Sequence, residues 1–123
     1  MLDDLPPEPG PRPAEFEFTF AGASRALAAI EDLIARYRAV VSNHHRAANY
    51  ARVDFEGATR QLFDRELDAA LDSCNVIIRE LEAQRDQLER LVHNATIRRA
   101  ERQAEIQDWE RQRSEYLNAK APR

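Results

Sequence analysis

Residues 54–63, with the sequence DFEGATRQLF, decide the fold because they place one glycine inside a long run of helix-forming residues. Between Ala23 and Ala121 the chain has no proline and no glycine other than Gly57. Glycine weakens a helix interior and adopts backbone conformations that other residues avoid. The stretch therefore predicts a turn between two helices, in which Gly57 lets the backbone approach the opposite helix where a Cβ atom would clash.

Apolar residues on both sides of this turn recur at alternating spacings of three and four, which places them on one face of a helix. We call this face the seam. Before the turn the seam contains Leu27, Ile30, Ile34, Tyr37, Val41, His44, Ala48 and Ala51. After the turn it contains Leu67, Leu71, Cys74, Ile78, Leu81, Arg85, Leu88, Val92, Ala95, Arg99, Arg102, Ile106 and Trp109.

The sequence thus predicts an all-α fold, with helix 1 over about 23–52, a turn over 53–57 and helix 2 over about 58–117. The short connection makes the helices antiparallel neighbours, that is, a helical hairpin with a long second helix. Asp54 is the expected N-cap of helix 2, and Phe55 is expected to cover the closed end of the hairpin.

Helix 1 is long enough to cover helix 2 only to about Leu88, which leaves residues 89–117 without a partner in the chain. Two explanations are open: helix 2 breaks near His93–Thr96 and folds back, or a second chain supplies the missing surface. The second explanation is favoured because an isolated hairpin buries little apolar area. It predicts a four-helix bundle formed by dimerisation, with these interface residues: Leu67, Leu71, Ile78, Leu81, Leu88, Trp109 and Tyr116.

The N-terminal residues 1–15 are rich in proline and acidic side chains, and they are predicted to form a disordered tail. Phe16, Phe18 and Phe20 follow with polar residues between them, a period typical of an extended segment. The preferred interpretation is that the three rings pack across the end of a helical bundle, and the other is that they form a docking strand for a partner. Residues 119–123 are a short C-terminal tail.

Composition excludes several classes of function. The net charge of −4 and the pI near 5.4 argue against a nucleic-acid-binding protein. No stretch approaches the roughly 20 apolar residues that span a bilayer. The acidic N-terminus is unlike a secretory signal peptide. A single cysteine, Cys74, rules out an internal disulfide and a cysteine-based zinc site.

Catalytic patterns are also missing from the sequence. The three glycines are isolated, so no phosphate-binding loop is predicted, and no serine nucleophile motif is present. His44, His45 and His93 do not form a set of three or four convergent ligands. We expect them to be partly buried, hydrogen-bonded imidazoles, and we predict no catalytic residue, metal or cofactor.

The tripeptide Phe55-Glu56-Gly57, placed between two amphipathic helices, resembles the Trp-x-Gly turn of the WxG family of small type VII secretion proteins. Phe63 lies eight residues after Phe55, where that family tends to carry an aromatic residue. The runs GATRQLFDREL and RRAERQAEIQDWERQR are similar to segments of longer actinobacterial members. The resemblance implies a turn motif formed by Phe55, Gly57 and Phe63.

The resemblance further implies a non-enzymatic protein that pairs with itself or with another small helical hairpin, and a larger secreted toxin is a further candidate partner. It would act as a substrate, co-secreted partner or targeting chaperone of a type VII system, and it would be cytoplasmic or exported without a cleaved signal peptide. The family's Tyr-x-x-x-Asp/Glu export signal is displaced here: Tyr50 to Asp54 precedes the turn, and Tyr116 is followed by Lys120. The alternative function is a cytoplasmic coiled-coil scaffold unrelated to secretion.

Overall fold

The computed structural model describes residues 5–54 and 56–121, and it consists of two α-helices joined by a short connection. Helix α1 comprises Phe20–Ala51, a 3₁₀ helix comprises Arg52–Asp54, and helix α2 comprises Gly57–Lys120. The described residues contain no strand. The all-α class predicted from the periodicity is therefore confirmed.

The helices extend slightly beyond the limits expected from the sequence. Helix α1 begins three residues earlier than position 23, so that Phe20 is its first residue, and α2 continues three residues beyond position 117. Helix α2 also runs without interruption through His93–Thr96, where a break was one of the two explanations. The hydroxyl of Thr96 donates to the carbonyl oxygen of Val92, 2.8 Å away, and so the side chain fits within the helix.

The chain divides into two compact units, each described separately below. The hairpin unit comprises residues 20–90 and contains α1, the 3₁₀ helix and the first half of α2. The distal unit comprises residues 1–19 and 91–123, of which 5–19 and 91–121 are described.

The core of the hairpin unit is the seam identified from the sequence. Ile34 and Ala48 of α1 are buried, as are Leu71 and Ile78 of α2, whereas His44 is a seam residue that remains exposed. Each fully buried isoleucine or leucine side chain contributes roughly 1.5–3 kcal/mol through removal of apolar surface from water. Burial of the seam therefore supplies the main stabilisation of the hairpin.

Two ion pairs show that α1 and α2 run antiparallel. The Arg52 guanidinium lies 2.7 Å from an Asp64 carboxylate oxygen near the turn. The Arg38 guanidinium, further from the turn along α1, lies 3.1 Å from Glu82, which is further from the turn along α2. Moving away from the turn on one helix thus corresponds to moving away from it on the other, as a hairpin requires.

Gly57 is the first residue of α2 and has a φ of 62°, in the left-handed region that favours glycine. A Cβ atom built at this position meets no atom within 4 Å. The expectation of a clash with the opposite helix was therefore wrong, and the glycine is required by the backbone angle instead. Asp54 as the N-cap was also wrong, because it lies in the 3₁₀ helix and α2 begins three residues later. Phe55 lies outside the described residues.

In the distal unit, residues 5–19 lie against the second half of α2. The side chains of Trp109 and Arg102 donate hydrogen bonds to backbone carbonyl groups of this N-terminal segment. The expectation that residues 89–117 have no partner within the chain was therefore wrong. Residues 5–15 also differ from the disordered tail that the sequence predicts. An extended, proline-rich segment can pack on a helix without forming secondary structure of its own.

Candidate interaction surfaces

The hairpin unit has a polar flank and an apolar flank on either side of its seam. Arg38 directly follows the seam residue Tyr37 on α1, and Glu82 directly follows the seam residue Leu81 on α2. Their 3.1 Å contact shows that residues directly after the seam meet on one side of the hairpin. In an antiparallel helix pair, the residues that directly precede seam residues then meet on the other side. These preceding residues include Leu33 and Val40 of α1 and Ile77 of α2.

The flank with the preceding residues forms an apolar surface, which we call the apolar face. Leu33 is 42% exposed and Val40 is 40% exposed, although both lie in the middle of α1. On α2, Ile77 lies on the same flank and is half-buried. Four residues define the apolar face: Leu33, Val40, Ala70 and Ile77. Exposed apolar residues grouped on one flank are typical of a protein interaction site.

Three apolar residues near the turn are also exposed. Tyr50 at the end of α1 is 86% exposed, Val53 in the 3₁₀ helix is 80% exposed, and Leu62 in the first turns of α2 is 57% exposed. They leave an apolar closed end on the hairpin unit. Isolated exposed apolar residues are common in soluble proteins, so this group adds to the apolar face but does not define a site alone.

The N-terminal segment of the distal unit is held by polar contacts at three levels of α2. The Trp109 Nε1–H donates to the carbonyl oxygen of Gly10 at 2.6 Å. The Arg102 guanidinium donates to the carbonyl oxygen of Ala14 at 3.0 Å. Between them, the Arg12 guanidinium lies 3.8 Å from Glu110. The segment therefore runs along the helix in the direction opposite to the helix sequence.

Apolar contacts accompany these polar ones. Phe16 and Phe18 line a groove of about 510 Å³ together with Leu91, Ala95 and Ile97. The alternation of half-buried Phe16 and Phe18 with exposed Glu15 and Glu17 agrees with the extended segment that the sequence predicts. The two rings thus pack on α2 of the same chain.

A second, smaller groove lies near the C-terminal end of α2. Pro9, Gly10, Trp109 and Tyr116 are among the residues that line its volume of about 240 Å³. The Arg113 guanidinium lies 5.3 Å from the centre of the Trp109 ring, within the range of a cation–π contact. Trp109 is therefore fixed by a backbone hydrogen bond on its edge and a cation near its face.

The predicted interface residues lie on the seam, apart from Tyr116, which lies seven residues beyond its last member, Trp109. Leu71 and Ile78 are buried by the chain itself. Five others are half-buried, namely Leu67, Leu81, Leu88, Trp109 and Tyr116. Phe63 of the predicted turn motif is half-buried in the first turns of α2. The seam is thus used largely within the chain. The signal for the apolar face was present in the sequence, since Leu33 and Val40 each directly precede a seam residue.

The three histidines are all exposed, so the expectation of partly buried imidazoles was wrong. Nδ1 of His44 lies 2.8 Å from the Val40 carbonyl oxygen of its own helix. Within residues 5–54 and 56–121, no group of three or more His, Cys, Asp or Glu side chains is placed to hold a metal ion. Cys74 is a half-buried free thiol on the seam.

Charged side chains of α2 pair mainly with near neighbours on the helix. A hydrogen bond to Asp86 raises the pKa of the Arg85 guanidinium above its ordinary value, and a hydrogen bond to Asp108 does the same for Arg111. These arginines remain charged throughout the accessible pH range. Exposed pairs of this kind add little to stability.

Comparison with protein-family models, with curated proteins and with solved structures finds no match to this chain. In the part of the chain that the structure describes, neither helix combines the length and apolar character needed to cross a membrane. Two surfaces of the described residues are candidate interaction sites: the apolar face of the hairpin unit and the second half of α2.

Proposed function

We propose that this protein is a non-enzymatic helical hairpin that binds another helical protein through the apolar face of its hairpin unit. The observation that carries the proposal is the partial exposure of Leu33 and Val40 on the flank that also holds Ile77. The opposite flank is closed by the Arg38–Glu82 ion pair. A hairpin that is apolar on one flank and charged on the other favours pairing through the apolar flank, against a second apolar surface.

The partner that fits this face is a second helical hairpin, supplied by another copy of the chain or by a different small protein. Two hairpins packed by their apolar faces would form a four-helix bundle, the simplest arrangement that covers residues on both helices of each hairpin. Side chains such as Leu33 and Val40 pack between residues of a facing helix, as in other bundles. The seam itself stays within each hairpin.

The role we propose for this pairing is in a type VII secretion system, as substrate, co-secreted partner or targeting chaperone. The support for this role is the resemblance of Phe55-Glu56-Gly57 and Phe63 to the WxG turn, and the left-handed φ of Gly57 agrees with a turn that needs glycine. Because the Tyr-x-x-x-Asp/Glu signal is displaced, we propose that the partner provides the export signal. A larger secreted toxin is a further candidate partner.

The test compares two variants that each add two carboxylates to α1. Leu33→Asp/Val40→Asp changes the apolar face, and Ala28→Asp/Ala35→Asp changes exposed positions on another side of the same helix. Tagged forms are expressed in the native host, and cells and culture fluid are analysed separately by affinity purification and mass spectrometry. Light scattering after size-exclusion chromatography gives the mass of each purified complex.

We expect the wild type and the Ala28/Ala35 variant to retain a small helical partner, and the Leu33/Val40 variant to lose it while keeping its helical circular dichroism. Retention of the partner by both variants would overturn the role of the apolar face. Recovery of the partner from culture fluid supports the secretion role. Recovery of the chain alone, entirely from cells and as a self-dimer, would instead favour the coiled-coil scaffold.

A further inference from the structure

The outer side of α2 in the hairpin unit carries a second row of apolar residues. Val76 lies two residues from the seam residues Cys74 and Ile78, which is a rotation of about 200° on a helix, and so it lies on the side of α2 opposite the seam. The row repeats every seven residues, and all of its members are exposed. We call it the outer row, and it comprises Leu62, Ala69, Val76 and Ala83. Leu62 and Val76 are 57% and 44% exposed, so the row offers apolar surface that α1 does not cover.

Charged residues of alternating sign follow one edge of the outer row. Each of them lies three residues after a member of that row, in the order Arg65, Asp72, Arg79 and Asp86. Asp86 accepts hydrogen bonds from the Arg85 guanidinium, the shorter of them at 3.1 Å. In the part of the chain that the structure describes, the other three form no ion pair. Their charges are therefore available to a group outside the chain.

This row of charges is complementary to itself when two copies of α2 pack antiparallel about a two-fold axis. In an antiparallel pair, residues on one edge of a helix meet residues on the same edge of the other helix. If the axis passes beside Val76, Arg79 of each copy lies opposite Asp72 of the other. Arg65 of each copy then lies opposite Asp86 of the other. The edge therefore carries four opposite-charge pairs and no like-charge pair.

The same charges select this register over its neighbours. A shift of seven residues in one direction places Arg65 opposite Arg79 and Asp72 opposite Asp72. A shift of seven residues in the other direction places Arg79 opposite Arg79 and Asp72 opposite Asp86. Both shifted registers set like charges against each other, which disfavours them. The alternation thus specifies the register centred on Val76.

The opposite edge of the outer row adds no repulsion in this register. Its residues lie four after each member of the outer row, and they are Glu66, Ser73, Glu80 and Gln87. Glu66 lies opposite Gln87 of the second copy, and Glu80 lies opposite Ser73 of the second copy. Each carboxylate therefore faces a side chain that is able to donate a hydrogen bond to it.

The apolar contacts of this register are also compatible. Ala69 lies opposite Ala83, and two such small side chains let the helix axes approach to near the lower end of the ~8–10 Å range. Leu62 lies opposite Arg90, whose aliphatic stem is able to cover the leucine side chain. The contact is thus apolar along its centre and charged along its edge.

A parallel pair of the same helices is less compatible. It would bring Arg79 near Glu80 of the second copy, but it would also set Arg90 against Arg90. In a parallel pair Asp72 lies opposite Ser73, whereas in the antiparallel pair it lies opposite Arg79. The two arrangements therefore differ in the effect that they predict for a change at Asp72.

From these observations we propose that the outer row of α2 binds a second copy of this chain, as an antiparallel helix pair centred on Val76. The contact is confined to one face of each α2, so the dimer is weak and reversible. Neither the seam nor the apolar face takes part in it. Self-pairing through the outer row joins two hairpin units and leaves the apolar face of each open to the partner proposed above, and either surface can fail alone.

The test uses the full chain with the apolar face blocked by Leu33→Asp/Val40→Asp, so that the outer row is tested separately. Arg79→Glu or Asp72→Arg is then added to this background. Each of these two variants alone sets like charges against each other at the central pairs, whereas a mixture of the two restores opposite charges at every central pair. The control is Arg25→Glu, which makes the same change of charge at an exposed position of α1.

Sedimentation velocity over roughly 10–500 μM protein measures the dissociation constant of a weak dimer. We expect the background and the Arg25→Glu control to dimerise equally. Arg79→Glu and Asp72→Arg should each weaken the dimer at least about tenfold, because two attractive pairs become repulsive. An equimolar mixture of the two should return to within about threefold of the control, because its central pairs again join opposite charges. Far-ultraviolet circular dichroism verifies that each variant keeps its helices.

Three other results would overturn the proposal in whole or in part. A background variant that stays monomeric over this range would rule out self-pairing through the outer row. Equal dimerisation of Arg79→Glu and the control would show that the charged edge is not at the contact. Undiminished dimerisation of Asp72→Arg, or a mixture that fails to restore the dimer, would show that the helices do not pair antiparallel in this register.

Discussion

The two halves of α2 carry one continuous heptad pattern, but the first half is covered by a helix and the second half by an extended segment. Up to residue 90 the seam packs on α1, and Leu71 and Ile78 are buried between two helices. From residue 91 the seam packs on an extended, proline-rich segment, and Ala95 and Ile106 are buried to a similar degree. A heptad pattern therefore specifies which face of a helix is buried, but not what buries it.

The difference between the halves follows from the residues on the seam. The first half offers leucine, isoleucine or cysteine at six of its seven seam positions, with Arg85 as the exception, and a facing helix can interlock with this row. The second half places Arg99 and Arg102 on the seam, where a facing helix would have to accommodate two cations. An extended segment supplies backbone carbonyl groups instead, and Arg102 donates to that of Ala14.

The largest effect on stability is expected at Ile78, in the half covered by α1. Ile78→Ala should lower the free energy of unfolding by about 2–4 kcal/mol, because it removes a buried side chain and leaves a cavity between two helices. Urea denaturation followed by circular dichroism measures the loss. The control is Val76→Ala, two residues away and 44% exposed, which should cost less than about 1 kcal/mol. Equal losses for the two variants would contradict helix-to-helix burial of the seam.

The next largest effect is expected at the turn that creates the first half. Gly57→Val should lower the free energy of unfolding by about 1–3 kcal/mol, because valine is strained at a φ of 62°. Gly57→Asn should lose less, since asparagine tolerates the left-handed region. Because no atom lies within 4 Å of the added Cβ, the size of the side chain does not explain the difference. A valine variant as stable as the wild type would rule out a requirement for the left-handed angle.

A smaller effect is expected at Ile106, in the half covered by the extended segment. Ile106→Ala should cost about 1–2 kcal/mol despite the 3% exposure of Ile106, because an extended segment can collapse into the space more easily than a packed helix. Amide hydrogen exchange over residues 91–117 measures this local stability separately from the hairpin unit. A loss as large as that of Ile78→Ala would show that the two covers are equally rigid.

The smallest effect is expected at the Arg38–Glu82 ion pair on the polar flank of the hairpin. A double-mutant cycle with Arg38→Ala and Glu82→Gln should give a coupling energy of about 0.2–1 kcal/mol, because both side chains are partly solvated. The coupling should fall towards zero in about 1 M salt, where charges are strongly screened. Coupling that is unchanged by salt would mean that the pair is held by more than its charges.

Sequence patterns were most informative where burial is periodic. Every seam residue of α2 except Arg99, and every seam residue of α1 except His44, is buried or half-buried in the structure. The reason for Gly57 was not accessible in the same way, because a glycine in a turn is consistent with either a close approach or an unusual backbone angle. Only the coordinates distinguish the two, with a φ of 62° and open space around the missing Cβ.

The cover of the distal half was missed because an extended proline-rich segment has no helical period to detect. Its length was nevertheless informative. Fifteen residues in an extended conformation reach about 47 Å, close to the roughly 45 Å of thirty helical residues. The alternation of Phe16 and Phe18 with glutamates is a second signal of an extended segment, but it does not say which surface the segment covers.

The sequence by itself determined the helical class, the place of the turn and the buried face of each helix, because these follow from local propensity and periodicity along the chain. Only the tertiary structure decided that residues 5–19 cover the second half of α2 and that Leu33 and Val40 lie on an exposed flank. Tertiary contacts join residues that are distant in sequence, as Gly10 and Trp109 are. They depend on which surfaces meet after the helices have formed, and no local pattern encodes that choice.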